Sequence, residues 1–447
     1  MCKMRFYVLR LKICGIKNIE NPVEFEFYKK TIANDFEPDK FKVQVIYGEN
    51  GSGKTAVVTS VKLMQNLLID KNYLADLDTQ KKLSEIINKK TRESVIECDI
   101  YVDAGEGSFT MRYYIRLRLE EDERVCIAEE SLKVRKGRYS KNLFSQIYKT
   151  EDGVLKQYAH CGIYQEIKEK TLNLLDKQTL VSRSLDYFAL YLNSEQVVEA
   201  FFYSLTLQIF AITNLNVSLD DSDSHYGFVL REKLRRIEES YKESGNHELI
   251  LHMQNAVTEI EGVESLVAKD IFSRYEKKVD RLCDFVKLFK PELKGIEIEK
   301  KDDGRYYRCR LNMVYEGYSL DREFESKGIK KIMDLYDCLD AAGDGHVVFI
   351  DELDANISDV YLGKLIEYFC YYGKGQLCFT AHNLSPMAIL KDRKEAIHFI
   401  SSINTVHTWK RNGNLTPENA YKNGFIEDSP FNVEASDFLG VLGGDDE

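Results

Sequence analysis

The sequence predicts a mixed α/β protein, on three observations. Short segments of period-2 alternation open the chain. A glycine-rich stretch, residues 48–53, then separates a β-branched run from a stretch of helical period. The final third returns to buried apolar runs that alternate with helical patterns.

Each element follows in order. Phe6 to Ile13 alternates apolar and basic residues, as a half-buried strand does, and Val23 to Tyr28 (VEFEFY) alternates again. Phe41 to Tyr47 (FKVQVIY) is a short β-branched and aromatic run that ends at Gly48, and a helix is expected from about Thr55 to Ile69. Three alternating segments follow between Ser94 and Val134, joined by AGEG and EEDE, whose composition suits hairpin turns. They predict an antiparallel sheet beside the first strands. From about Tyr164 to Phe289 the period turns helical, notably in REKLRRIEESYKE and AKDIFSRYEKKVDRLCDFVKLF, until Pro291. IEIEKKDDGRYYRCRLNMVYEG reads as a hairpin whose turn contains Asp303-Gly304. The last third predicts a helix from Gly328 to Ala341, the strand HVVFIDE, a helix from Asp359 to Tyr372, the strand QLCFTAHN, a helix at Pro386 to Leu390 and the strand AIHFISS. These elements divide the chain into an N-terminal lobe (1–150), a helical insertion (160–290), a C-terminal lobe (291–422) and a weakly ordered acidic tail (423–447).

Composition narrows the class. Among 447 residues, 62 Lys and Arg face 73 Asp and Glu, a net charge of -11, which argues against coating nucleic acid through bulk charge and leaves only a local basic face. Ten cysteines include no Cys-x-x-Cys pair, so reduced thiols and no zinc site are expected. The first residues interleave Lys and Arg with apolar side chains, and no run approaches ~18 apolar residues, so a soluble intracellular protein is expected, with no membrane contact.

Four segments carry chemistry. Gly48-Glu49-Asn50-Gly51-Ser52-Gly53-Lys54-Thr55 fits G-x-x-x-x-G-K-[ST]. Glycines at 48, 51 and 53 let backbone N–H groups, Asn50 among them, curl around phosphate oxygens, and the helix that follows points its positive end at them. Lys54 adds a charge for the β- and γ-phosphates, and the Thr55 hydroxyl is a ligand for Mg2+. Val347 to Glu352 is an apolar strand ending in two acids, Asp351 for the Mg2+ and Glu352 for the attacking water. His382 ends the next strand, 31 residues after Asp351, where a parallel neighbour would set it beside Glu352. Ser326, Gly328 and Lys330 open a helix 25 residues before Asp351, an arrangement suited to an anion. No Asn-Lys-x-Asp element for guanine is found, so ATP is expected over GTP.

In this order the four segments resemble an ABC-type P-loop ATPase head of the chromosome-maintenance, RecF and OLD branch, often labelled AAA15, over about residues 4–135 and 290–410. The resemblance implies a mixed sheet with an antiparallel β subdomain. It also implies two heads sandwiching two ATPs, with Lys54 and Thr55 of one protomer and Ser326, Gly328 and Lys330 of the other around each nucleotide, and catalysis by Glu352 and His382. The sequence departs from that pattern in two places: Lys327 stands where the branch often has a second small residue, and Ser358 where it has an Asp. Gln80 and Gln146 both remain candidates for the Q-loop glutamine.

The insertion of ~125 residues gives helices of at most ~90 Å, so a compact helical domain is expected, not a long tethering arm. Only 65 residues follow His382, too few for the nuclease domain of OLD-type proteins, so any effector is expected to be a separate protein. The chain is similar to the standalone ATPases of bacterial anti-phage systems, the AriA type of PARIS systems foremost, with Septu and retron-associated ATPases close behind. That similarity implies a homo-oligomeric sensor and scaffold that holds a Toprim-type nuclease and responds to a phage-encoded trigger protein. The alternative is a RecF-like repair ATPase clamping DNA between heads, motivated by the basic run Lys133 to Lys141, which also reads as a solvated hairpin edge.

Overall fold

A computed structural model describes residues 4–28, 37–105, 107–136, 143–159, 161–184, 186–187, 195–219, 264–393, 395–410 and 415–426. In chain order the strands are β1 (Arg5–Cys14), β2 (Val23–Glu26), β3 (Val43–Tyr47), β4 (Glu93–Asp103), β5 (Ser108–Leu119), β6 (Val125–Lys136), β7 (Ser145–Glu151), β8 (Val154–Tyr158), β9 (Leu215–Ser218), β10 (Ser265–Ala268), β11 (Gly295–Asp303), β12 (Tyr306–Tyr315), β13 (Tyr318–Asp321), β14 (Val347–Ile350), β15 (Gln376–Thr380), β16 (Ile397–Ile400) and β17 (Val406–Thr408). The helices are α1 (Lys54–Ile69), α2 (Leu77–Ile86), α3 (Tyr164–Lys170), α4 (Glu195–Ile209), α5 (Phe272–Lys287), α6 (Lys327–Asp344), α7 (Asp359–Tyr371), α8 (Ser385–Leu390) and α9 (Pro417–Lys422).

The chain is mixed α/β, with three sheets among the described residues. The first is antiparallel, in the order β2-β1-β4-β5-β6-β7-β8. Along β5 buried and half-buried residues alternate, the period of a sheet with one face on a core. The second is mixed, in the order β17-β16-β3-β15-β14-β9, parallel throughout except at β17. Its strands β3, β14, β15 and β16 are buried at every position, which is why they read as mostly apolar runs without alternation. A small antiparallel sheet joins β10, β12, β11 and β13.

Helix α1 buries 14 of its 16 residues in the core it shares with the antiparallel sheet and one face of the mixed sheet. A helix buried nearly all round, its polar Thr59, Ser60, Gln65 and Asn66 included, has little solvent face to offer and belongs between layers. Helices α6, α7 and α8 cover the other face of the mixed sheet, with Leu335, Leu339, Leu362, Ile366 and Met387 packed on Val45, Val348 and Phe379. Each such Leu or Ile contributes about 1.5–3 kcal/mol by leaving water. One polar stitch crosses between the sheets: the buried Gln376 amide donates to Val8 O and accepts from Val8 N, each at 2.8 Å, where a β-bulge shifts the register of β1 on β4.

Two sequence expectations are corrected. The antiparallel sheet does not stop at residue 150, because β7 and β8 form a further hairpin across Asp152-Gly153. The segment 160–290 is not purely helical: β9 edges the mixed sheet beside β14, and β10 pairs with β12. Four-residue strands are too short to show a period, so helical neighbours mask them. Residues 220–263, which include REKLRRIEESYKE, lie outside the described residues, as do 427–447 of the expected tail. The β11–β12 turn runs Asp303-Gly304-Arg305-Tyr306, with Asp303 paired to Tyr306, so it contains the expected Asp303-Gly304 step, and Gly304 takes the left-handed φ of +66°.

Candidate functional site

The C-terminal ends of β3, β14 and β15 are neighbours, because β15 pairs in parallel with both of the others. Every residue following these strands therefore emerges at one edge of the sheet, where open α/β sheets place their ligands.

After β3 the chain enters the Gly48–Thr55 loop. Gly51 (φ +81°) and Gly53 (φ +108°) occupy the left-handed region, which a side chain would strain. A Cβ on Gly48 would fall 2.3 Å from Ser52 Oγ and 2.4 Å from the carbonyl oxygen of Ile400, so backbone closeness requires glycine there. Asn50 and Gly51 are exposed at the tip, and Thr55 is half-buried. Asn18 ties the tip down by donating its side-chain amide to Gly51 O. The buried Ser52 Oγ has no hydrogen-bond partner, and no side chain caps the start of α1. The loop thus presents unpaired polar groups at a positive helix end. Lys54, 6% exposed, donates from Nζ to Gly48 O at 2.7 Å and Glu49 O at 3.0 Å. Burial pulls its pKa below the ordinary lysine value, against the opposing pull of Glu352, Asp351 and Asp354.

After β14 come the two acids. Asp351 is 5% exposed and accepts from Thr380 Oγ1 at 2.6 Å through Oδ1. Glu352 adopts φ +50°, uncommon for a residue with a side chain and costing about 1–2 kcal/mol. Its N–H donates to the same Thr380 Oγ1 at 2.8 Å, and its Oε1 lies 3.4 Å from His382 Nε2. Asp354 Oδ2 accepts from the backbone N–H of His382 at 2.8 Å and of Asn383 at 2.5 Å, fixing the turn that carries the histidine. The expected neighbourhood of His382 and Glu352 is thus present, as is a lysine in the field of both acids.

Ser326, Gly328 and Lys330 stand apart from this group. Ser326 Oγ caps α6 by accepting from Ile329 N at 3.4 Å, and Lys330 Nζ donates to Glu323 O at 3.0 Å. A Cβ on Gly328 would meet Asn356 O at 2.7 Å, so glycine is needed for α6 to pack against the 353–358 turn. Among the described residues, no hydrogen bond or ion pair joins 326–330 to 48–55 within the chain. The two glutamine candidates are both engaged elsewhere. Gln80 exchanges hydrogen bonds with Val125 and donates to Leu74 O. Gln146 donates to Leu132 O and Tyr148 O.

Sequence reasoning missed Thr380 and Asp354. The only signal for Thr380 was a hydroxyl closing an otherwise apolar strand, and for Asp354 an acid in the LDANIS turn, where a side chain can accept from backbone N–H groups. The chain matches no family model and no curated protein sequence, so the grouping of these residues stands on geometry alone.

Proposed function

We propose that the chain is an ATPase that binds Mg2+–ATP on the Gly48–Thr55 loop and hydrolyses it at the edge where β3, β14 and β15 end. One observation carries this reading: a buried lysine on a glycine-rich loop, at an uncapped helix start, lies in the field of two acids that follow β14, one strand removed from β3 across β15. The orphaned Ser52 Oγ and the crowded Gly48 backbone fit a phosphate better than a side chain. Thr55 and Asp351 would hold the Mg2+, whose charge offsets that of the phosphates. Glu352 Oε1 is the acceptor for the proton of the attacking water, and His382 Nε2 at 3.4 Å holds that carboxylate in place.

The finer reading is an oligomeric scaffold in which Ser326, Gly328 and Lys330 of one copy complete the nucleotide site of another and the ATP state controls a separate Toprim-type nuclease in anti-phage defence. It rests on the resemblance of the four segments, and among the described residues no hydrogen bond or ion pair joins 326–330 to 48–55 within one chain. The ion-paired face of the antiparallel sheet also favours it over a DNA clamp. There Arg10, Arg112, Arg116 and Arg118 each meet carboxylates, leaving little free charge for a phosphate backbone. Of the basic run, Lys133 lies opposite Arg112, Arg135 packs over Phe144, and 137–142 lie outside the described residues.

The test is Lys54→Ala, with ATP binding followed by fluorescent-nucleotide titration and turnover by phosphate release. Both are expected to fall at least ~100-fold while the thermal midpoint without nucleotide stays within a few degrees. Undiminished turnover would remove the site.

A further inference from the structure

We propose that Thr380 is a positioning residue that locks Asp351 and Glu352 into a single working geometry, an assignment that rests on the ATPase reading. Thr380 is fully buried at the end of β15. Its one hydroxyl touches both acids: Oγ1 donates to Asp351 Oδ1 at 2.6 Å and accepts from Glu352 N at 2.8 Å. The direction is forced, because an ionised carboxylate only accepts and a backbone N–H only donates. The result is a polarised chain, Glu352 N–H to Thr380 O–H to Asp351 Oδ1, in which each bond strengthens the next.

Two consequences follow. First, with Oδ1 occupied, Asp351 turns its other oxygen to whatever cation it holds. Second, the N–H bond, with the backbone bond from Leu353 N to Thr380 O at 3.2 Å, holds the chain through the left-handed turn at Glu352. That turn sets the Glu352 carboxylate against His382. A β-branched residue suits the post, since its side chain is stiff about the first torsion and the hydroxyl needs no ordering when substrate arrives.

The experiment compares wild type, Thr380→Val, Thr380→Ser and the pair Glu352→Gln with Thr380→Val, measuring kcat and KM for ATP, nucleotide binding, and amide exchange at Glu352 without nucleotide or metal. Thr380→Val keeps the shape and removes the hydroxyl. It is expected to lower kcat at least ~10-fold with KM within ~3-fold, and to speed exchange of the Glu352 amide at least ~10-fold. Thr380→Ser is expected to restore both to within ~3-fold of wild type. In the Glu352→Gln background, Thr380→Val is expected to add less than it costs in wild type, since part of its effect runs through the Glu352 carboxylate and the remainder through Asp351. If Thr380→Val does not fold, Thr380→Cys, with its weaker donor, takes its place under the same expectations.

Unchanged kcat and unchanged Glu352 exchange would overturn the assignment, as would an equal loss in Thr380→Ser. The parent reading fails separately: if wild type and Lys54→Ala release phosphate equally, there is no ATPase for Thr380 to serve. Lys54-dependent turnover with a fully active Thr380→Val sinks the positioning role alone.

Discussion

The antiparallel sheet and the mixed sheet handle charge in opposite ways. Across the antiparallel sheet, charge is matched strand to strand. Arg10 meets Glu24, Glu97 and Asp99; Arg112 meets Asp99; Arg116 meets Glu93 and Glu129; Lys149 meets Glu129 and Glu151. The mixed sheet carries no charge along β3, β14 or β15 and gathers it past the strand ends, where Lys54, Asp351, Glu352 and Asp354 share one small region. Matched pairs stabilise a fold and do little else. Gathered, unequally partnered charge costs stability and can bind. On the proposed ATPase reading, the difference separates the sheet that supports from the sheet that acts.

The sharpest way to break this contrast is Glu352→Gln. If the end of β14 serves chemistry, kcat is expected to fall about 10²–10³-fold in a phosphate-release assay, with ATP affinity and thermal midpoint unchanged. A variant that loses stability and keeps its rate would place Glu352 with the supporting charges.

Glu130 tests the contrast from the other side, since it is the exception within the antiparallel sheet. It is fully buried and, among the described residues, pairs with no cation. Its carboxylate accepts from Tyr148 OH at 2.7 Å, Tyr113 OH at 3.2 Å and Leu180 N at 2.7 Å. Burial pushes its pKa up from 4.5 to about 7, although those donors pull the other way. A raised carboxylate favours the folded state fully below pH 4.5, and that contribution is lost as pH climbs from there through about 7. The loss is on the order of 3 kcal/mol. Glu130→Gln is expected to abolish this part of the slope. Urea midpoints for both proteins across pH 5 to 8 would show wild type losing ground to the variant; parallel curves would refute the buried-acid account.

The smallest expected effect is Asp99→Ala. It strips the shared partner from Arg10 and Arg112, both partly exposed, so the loss is about 1–3 kcal/mol after allowing for solvent screening. Chemical denaturation should register it, while turnover per folded molecule stays at the wild-type value. A fall in turnover would mean the antiparallel sheet is not merely a support.

The legibility of the sequence followed the same division. The strands β1, β3, β4, β5, β6, β14, β15 and β16 were visible because each is long enough to alternate or is mostly apolar. The Gly48–Thr55 loop and the acids at 351 and 352 were visible because their spacing along the chain is itself the feature. Strands β9 and β10 were hidden, each four residues whose role is set by a partner over a hundred or some forty positions away, Val347 for Leu215 and Cys309 for Ser265. Thr380 and Asp354 were hidden for a related reason. Their importance lies in which backbone N–H groups they meet, and that is decided by the parallel pairing of β14 with β15. The opposite lesson comes from Gly328, which reads as an anion contact and is already required by its closeness to Asn356 O.

The Gln376 amide makes β15 a strut anchored at both ends. Its side chain imitates a peptide group, filling the gap that the bulge opens at Val8, while at the other end of the same strand Thr380 grips both acids. A sliding motion between the two sheets must either break both Val8 bonds together or drag β15 along its axis. In the second case the displacement arrives at Asp351 and Glu352 undiminished, because a fully hydrogen-bonded strand between two parallel neighbours has almost no slack to absorb it.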